Sequence, residues 1–216
     1  MAESGKTERA LREELVRCYT YMVDHGLTEL ASGNISCRYG DGMLISPTGA
    51  RGDTISIETI VHVDGNGKWP DGQRPSTERA MHRAVYERIE AAGAVVHTHS
   101  DYCVALSCCE RGIPGFHYLV GGFGGNDVSC VPYATFGSDR LAQSAAEALK
   151  TRSACLLANH GMICHGSDME TAVTRAHRLE IMARQYFLSL QIGEPRLLSN
   201  EEWRDYHEKA ARVRYT

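Results

Sequence analysis

The chain has no apolar run long enough to cross a bilayer, and its opening residues, Met1-Ala2-Glu3-Ser4-Gly5-Lys6, lack the apolar core of a secretory signal. The expected location is therefore the cytoplasm, with no membrane partner. Basic residues form no block, and 23 Lys and Arg against 27 Asp and Glu leave a formal charge of −4. That balance argues against duplex nucleic acid, whose phosphates need clustered cations. The eight cysteines (18, 37, 103, 108, 109, 130, 155 and 164) show no regular spacing, and Cys108-Cys109 is too cramped for a Cys-x-x-Cys metal pair. In a large, unsecreted chain this predicts buried thiols rather than a disulfide framework. There is no dinucleotide fingerprint. Gly121-Gly122-Phe123-Gly124-Gly125 lacks the lysine and following helix of a phosphate loop, so it reads as a flexible or closely packed turn.

What is present suits a single globular domain over residues 1–216, without linkers: 43% of the residues are hydrophobic, enough for a real core. From Thr7 to His25, Leu11, Leu15, Cys18/Tyr19 and Met22 recur at helical spacing with Gly26 as C-terminal cap, which predicts an amphipathic helix lying over a sheet. Residues 33–38 and 43–46, joined by Gly40-Asp41-Gly42, read as a hairpin, and 60–63 as a further strand before Asp64-Gly65-Asn66-Gly67. A helix is expected over 77–92 with Glu78 in its first turn, then a strand over 94–99 and a short helix over 101–110. Further expectations are a strand over 116–120, a helix over 138–150, a buried strand over 154–158, and a helix over about 169–191 followed by a polar tail. Strands and helices mix without a strict βαβ rhythm. The fold class is therefore read as α/β, with a mainly antiparallel sheet covered by helices.

One stretch carries the chemistry. His97 and His99 stand at i and i+2 at the end of the β-branched run Val95-Val96, so on a strand both imidazoles point to one face. Two nitrogens on a rigid element suit a metal ion, and tetrahedral zinc accepts imidazole. Alone the pair is also what two surface histidines look like. Glu78 upstream and His160 in Ala158-Asn159-His160-Gly161-Met162 downstream would complete a set of three histidines and one carboxylate.

With these stretches in view the chain resembles the class II aldolase/adducin family, most closely its L-fuculose-1-phosphate aldolase branch. The matching segments are Ser32-Gly33-Asn34-Ile35-Ser36, Ile45-Ser46-Pro47-Thr48-Gly49, Ser76-Thr77-Glu78 with Met81-His82, Val95-Val96-His97-Thr98-His99, His117-Tyr118, Pro132-Tyr133-Ala134-Thr135-Phe136-Gly137 and Asn159-His160-Gly161. The resemblance implies a three-layer α/β/α sandwich on a central mainly antiparallel sheet, assembled as a homotetramer with active sites between neighbours. It implies that His97, His99 and His160 bind zinc, and that Glu78 binds it at rest and later serves as acid/base. It assigns the substrate phosphate to Gly33, Asn34, Thr48, Gly49, Ser76 and Thr77, all neutral donors, the last two at the start of a helix whose N-terminus favours anions. Tyr118 matches a tyrosine that acts in the neighbouring subunit's site. A C-terminal tyrosine is also expected there, and Tyr206 and Tyr215 are the candidates.

The implied reaction is retro-aldol cleavage of a ketose 1-phosphate to dihydroxyacetone phosphate and an aldehyde. The metal stabilises the enediolate as a Lewis acid, Tyr118 takes the C4 hydroxyl proton, and Glu78 protonates the enediolate. No lysine within these motifs is placed to form a Schiff base. Zinc is the expected ion, although the same donors accept manganese, cobalt or iron. L-fuculose 1-phosphate, 5-deoxyribulose 1-phosphate and 5-methylthioribulose 1-phosphate all fit as substrates, because the tail that would read the aldehyde end departs from the fuculose enzymes. The same fold also implies alternatives: a sugar-phosphate 4-epimerase, a 3-oxo-tetronate 4-phosphate decarboxylase, or a non-catalytic adducin-like module.

Overall fold

The computed structural model describes residues 6–213. Helix α1 (Glu8–Asp24) is followed by strands β1 (Asn34–Tyr39), β2 (Gly42–Ile45) and β3 (Val61–Val63). Next come α2 (Arg79–Arg88), β4 (Ala94–Thr98), α3 (Asp101–Cys108), a 3₁₀ turn (Tyr118–Phe123) and β5 (Cys130–Val131). The chain continues through α4 (Asp139–Ala148), β6 (Ala154–Leu157), β7 (Gly161–Gly166), α5 (Met169–Ile192) and α6 (Asn200–Val213).

The strands make one seven-stranded sheet in the order β3-β2-β1-β4-β7-β6-β5. Every pairing is antiparallel except β5 with β6. Because side chains alternate across a strand, each buried strand feeds two cores. Ala94 and Val96 pack with α1, α3 and α5, whereas Val95 packs with α2 and α4. The β6 and β7 residues divide the same way, with Leu156 and Met162 on the first face and Leu157 and Ile163 on the second. The result is the expected three-layer sandwich. His97 shares the Val95 face, which turns it toward α2.

Helix caps follow local chemistry. Thr7 accepts from the Ala10 amide at the start of α1, Ser138 caps α4, and Asp168 caps α5. No helix is long and apolar enough to cross a membrane among the described residues.

Several expectations need correction. Residues 116–120 do not form a strand: Tyr118–Phe123 is a 3₁₀ turn whose N-cap, His117, accepts from the Leu119 amide through Nδ1. Val120 and Phe123, three apart, are the residues it buries, and the alternation of Phe116, Tyr118 and Val120 imitated a strand. The glycines after Tyr118 make a closely packed turn, because a Cβ on Gly121 would run into the Tyr206 ring. The polar tail contains α6, which buries only Trp203 and so shows no apolar stripe. Its signal was a capping box: the Ser199 amide donates to Glu202 Oε2 and the Glu202 amide to Ser199 Oγ. Strands β5 and β7 are additional to the expected ones. Of the cysteines, all eight are unpaired, but only Cys37, Cys103, Cys155 and Cys164 are buried, while Cys108 and Cys109 are exposed.

Candidate metal centre and cleft

The expected metal residues arrive from three elements. His97 is the last residue but one of β4 and is fully buried, and His99 follows just beyond the strand. His160 stands in the β6–β7 connection, directly before β7 and two residues before Met162, the register partner of Thr98. Asn159 makes that turn in the left-handed region at φ 53°, a conformation asparagine tolerates, and its amide is anchored on the Ser107 carbonyl at 3.1 Å. Glu78 occupies the N-cap of α2 rather than its first turn. Its side chain makes no capping bond because the carboxylate is turned inward.

The four residues offer ligand atoms that all lie within 4.8 Å of one another. The three imidazole rings form an equilateral set, each pair of centroids 4.8 Å apart. His97 Nδ1 contacts the Met162 carbonyl at 2.7 Å, and a carbonyl only accepts, so Nδ1 carries the proton and Nε2 is a bare acceptor in the neutral ring. That Nε2 lies 2.9 Å from His99 Nε2 and 2.9 Å from Glu78 Oε2. Glu78 Oε1, buried and without a well-aligned hydrogen bond, lies 3.2 Å from His160 Nε2. A cluster of acceptors aimed at one another is what a cation satisfies, so the donor set fits a divalent metal. Burial pushes the Glu78 carboxyl upward, but the His97 and His160 imidazoles packed against it outweigh that and hold the group well below the usual carboxylate range. Burial above all pushes His99 down to about 4.

Glu78, His99 and His160 of this cluster line a cleft of about 380 Å³, with His97 buried behind them. Its walls include Gly33, Asn34, Thr48, Gly49, Ser76 and Thr77, so the three segments read as phosphate-binding do converge. The scaffold pins them: Pro47 bridges Pro75, the Thr48 amide donates to the Arg74 carbonyl at 2.8 Å, and the Ser76 amide to the Ser46 carbonyl at 3.1 Å. Gly33 takes φ +119° where the chain enters β1, and a Cβ there would sit 3.1 Å from the His97 carbonyl oxygen. Asn34, the register partner of His97, is turned differently from the expectation of a simple phosphate donor: it donates from Nδ2 to Glu78 Oε2 at 3.2 Å.

Tyr118 does not line this cleft. It lies 47% exposed on the 3₁₀ turn, stacked on His117 and with its ring centroid 6.0 Å from that of Tyr206 on α6. Tyr215 falls outside the described residues. The cleft also includes Tyr133 and Phe136, both exposed, and Asn159, none of which had been assigned a role. The stretch Pro132 to Gly137 was the available signal for the first two.

The profile of the class II aldolase and adducin N-terminal domain matches residues 13–187. An L-fuculose phosphate aldolase of Escherichia coli strain K12 is 42% identical over 193 residues, covering 89% of this chain and 90% of that protein. A 5-methylthioribulose-1-phosphate/5-deoxyribulose-1-phosphate aldolase of Rhodospirillum rubrum is 40% identical over 200 residues, covering 93% and 90%. A solved structure of an L-fuculose 1-phosphate aldolase superposes with a TM-score of 0.88 at 33% identity, covering 98% of each chain. Similarity of this extent, around a cluster of three histidines and a glutamate at the cleft, means that the chain belongs to the class II aldolase and adducin family and is an enzyme of the class II aldolase type.

Proposed function

We propose that the protein is a zinc-dependent aldolase that cleaves a ketose 1-phosphate to dihydroxyacetone phosphate and an aldehyde. The observation that carries this reading is the juxtaposition in one cleft of an acceptor cluster, Glu78, His97, His99 and His160, with a wall of neutral donors. No lysine or arginine is among the described residues lining the cleft. A phosphate there would be held by the Thr48, Ser76 and Thr77 hydroxyls, by amides at Gly33, Gly49 and Thr77, and by the N-terminal end of α2. Since Asn34 Nδ2 already serves Glu78, its part at the phosphate falls to its second N–H.

His97, His99 and His160, with Glu78, would hold the metal, which when bound supplies Lewis-acid stabilisation of negative charge on the substrate oxygens. Glu78 is buried and lines the cleft beside the histidines, where a carboxylate could move a proton to and from the carbon adjacent to the carbonyl. Tyr118, absent from its own chain's cleft and half exposed, is proposed to reach the site of a neighbouring copy in a homotetramer and to take the hydroxyl proton there. The 216 residues act as one domain, with two cores sharing one sheet. Eight unpaired thiols suit the reducing cytoplasm.

L-fuculose 1-phosphate, 5-deoxyribulose 1-phosphate and 5-methylthioribulose 1-phosphate are the substrates to compare. The test is a coupled assay for dihydroxyacetone phosphate across these three, with metal-replete protein, chelated protein and Glu78→Gln. Triose phosphate release that needs metal and is lost in the variant supports the proposal, and the ranking names the aldehyde. Metal binding without triose phosphate from any of them would sink it and direct the test to decarboxylation of a 3-oxo-tetronate 4-phosphate. Reloading the chelated protein with zinc, manganese, cobalt or iron assigns the ion.

A further inference from the structure

We infer that His82 is a positioning residue: its imidazole fixes the orientation of the Asn34 amide and, through it, the Glu78 carboxylate. The inference rests on the aldolase reading only for the consequence in turnover. Its geometry is independent of that reading.

Glu78, His82 and Tyr86 follow one another at i, i+4 and i+8 along α2, so they lie in one row on the helix face. Asn34 and Ser36, at i and i+2 on β1, lie in one row on the sheet. The two rows mesh into a single buried chain of hydrogen bonds. Tyr86 Oη is 2.8 Å from Ser36 Oγ, Ser36 Oγ is 2.7 Å from His82 Nδ1, and His82 Nε2 is 2.5 Å from Asn34 Oδ1. Asn34 Nδ2 then reaches Glu78 Oε2 at 3.2 Å.

The direction of every bond follows from its last acceptor. An ionised carboxylate has no proton to give, so Asn34 must present its NH₂ to Glu78 and its carbonyl to His82. His82 must then donate from Nε2, and the neutral ring accepts at Nδ1 from the Ser36 hydroxyl, which in turn accepts from Tyr86. A flipped Asn34 would set its carbonyl against the Glu78 carboxylate, acceptor to acceptor. With its proton on Nε2, His82 opposes that flip, because a turned amide would set its NH₂ against the Nε2–H. Burial keeps the ring in the neutral form this requires, pushing its pKa down to about 3. His82 and Ser36 are fully buried and Tyr86 nearly so. Neither His82 nor Ser36 is among the residues of the metal cluster or the cleft lining. Their effect on Glu78 therefore passes through Asn34.

The experiment compares His82→Phe, which removes both bonds, with His82→Gln, whose amide nitrogen can take the place of Nε2. Each full-length variant is assayed for zinc affinity by competition with a chromophoric chelator, and for kcat and KM. The expected result for His82→Phe is a loss of roughly 10–100-fold in kcat and a fall in zinc affinity, with KM little changed. His82→Gln should recover most of both. Should His82→Phe fail to fold, Ser36→Ala, which releases Nδ1 without changing the packing volume much, should give the same split at smaller amplitude. Equal losses in the Phe and Gln variants, or wild-type zinc affinity and turnover in His82→Phe, would overturn the inference. If the wild-type protein releases no triose phosphate at all, the zinc affinities still decide the matter for His82 while the aldolase reading fails alone.

Discussion

His97 donates from Nδ1 to the Met162 carbonyl over 2.7 Å, and this bond turns its other nitrogen, as a bare acceptor, toward the site. Met162 belongs to β7, the strand beside β4, so the sheet itself selects the tautomer. The consequence is testable by metal removal. One divalent ion per chain is expected, and chelation should lower the melting temperature because the ion binds only the folded arrangement. At a free metal concentration about a thousandfold above Kd the stabilisation is about 4 kcal/mol. For a chain of this size that corresponds to roughly 10 °C. Calorimetry with and without chelator, followed by re-addition of zinc, checks it, and an unchanged melting curve would deny the cluster a metal.

Ser76 and Thr77 are adjacent but differently employed. Ser76 is buried and its Oγ accepts from the Glu78 amide at 3.2 Å, whereas Thr77 is exposed in the cleft. Thr77→Val should raise KM for a phosphorylated ketose by roughly tenfold or more, the scale of a hydrogen bond to a charged group, and leave kcat and melting temperature unchanged. Ser76→Ala should raise KM and also lower the melting temperature, because it removes the hydroxyl that receives the Glu78 amide. Steady-state kinetics beside thermal melts separates the two. Identical behaviour of the variants would contradict the assignment.

The metal set and the layered sheet were legible because they rest on short-range periodicity. A period of two puts His97 and His99 on one face, and the apolar stripe of Leu15, Tyr19 and Met22 marks α1. Periodicity failed where burial is sparse or misleading. Helix α6 buries only Trp203, so hydrophobic spacing could not reveal it, although Ser199 and Glu202 carried the capping signal. Phe116, Tyr118 and Val120 alternated like a strand, yet the segment turns in a 3₁₀ arrangement under α6. Asn34 shows a third kind of limit. Its amide suited a phosphate as well as a carboxylate, and only the fold, by placing α2 against β1, shows that Glu78 receives it.

Gly161 and Gly49 should respond very differently to alanine. A Cβ on Gly161 would drive into the Thr98 carbonyl oxygen and lie 3.1 Å from His99 Cδ2, so the added methyl pushes on the backbone that carries two of the histidines. Gly49 has φ +72° with open space around its Cβ position, which limits the cost to backbone strain of about 1–2 kcal/mol. Gly161→Ala should cost about 3 kcal/mol or more, at the upper end of overpacking, and weaken metal binding at the same time. Thermal melts with metal analysis test the pair. If Gly161→Ala retained full metal at wild-type stability, the close β4–β7 approach described here would be wrong.

Asp168 links stability to pH away from the cleft. Its Oδ1 accepts from the Thr171 amide at 2.7 Å at the start of α5, the helix that covers the sheet behind β4 and β7. Burial pushes the carboxyl upward, but bonds from the Thr171 amide and the Thr171 and Ser167 hydroxyls outweigh it, and the folded pKa lies below the ordinary value. A carboxyl depressed in the folded state contributes fully above its unfolded pKa, about 3.9, and loses that contribution as pH falls through the lower folded value. Asp168→Asn keeps an oxygen for the Thr171 amide but removes the charge and the Oδ2 acceptor of the Ser167 hydroxyl, whereas Asp168→Ala removes the cap and should cost about 1 kcal/mol at pH 7. Denaturant unfolding of the three proteins at pH 7 and near pH 3 reads both effects. The gap between wild type and Asp168→Asn should narrow toward the acidic end, because protonated aspartic acid and asparagine cap alike, while the Asp168→Ala deficit should persist in part. A gap between wild type and Asp168→Asn that widened with acid would reverse the sign, and with it the claim that α5 draws its N-terminal stability from the ionised Asp168 carboxylate.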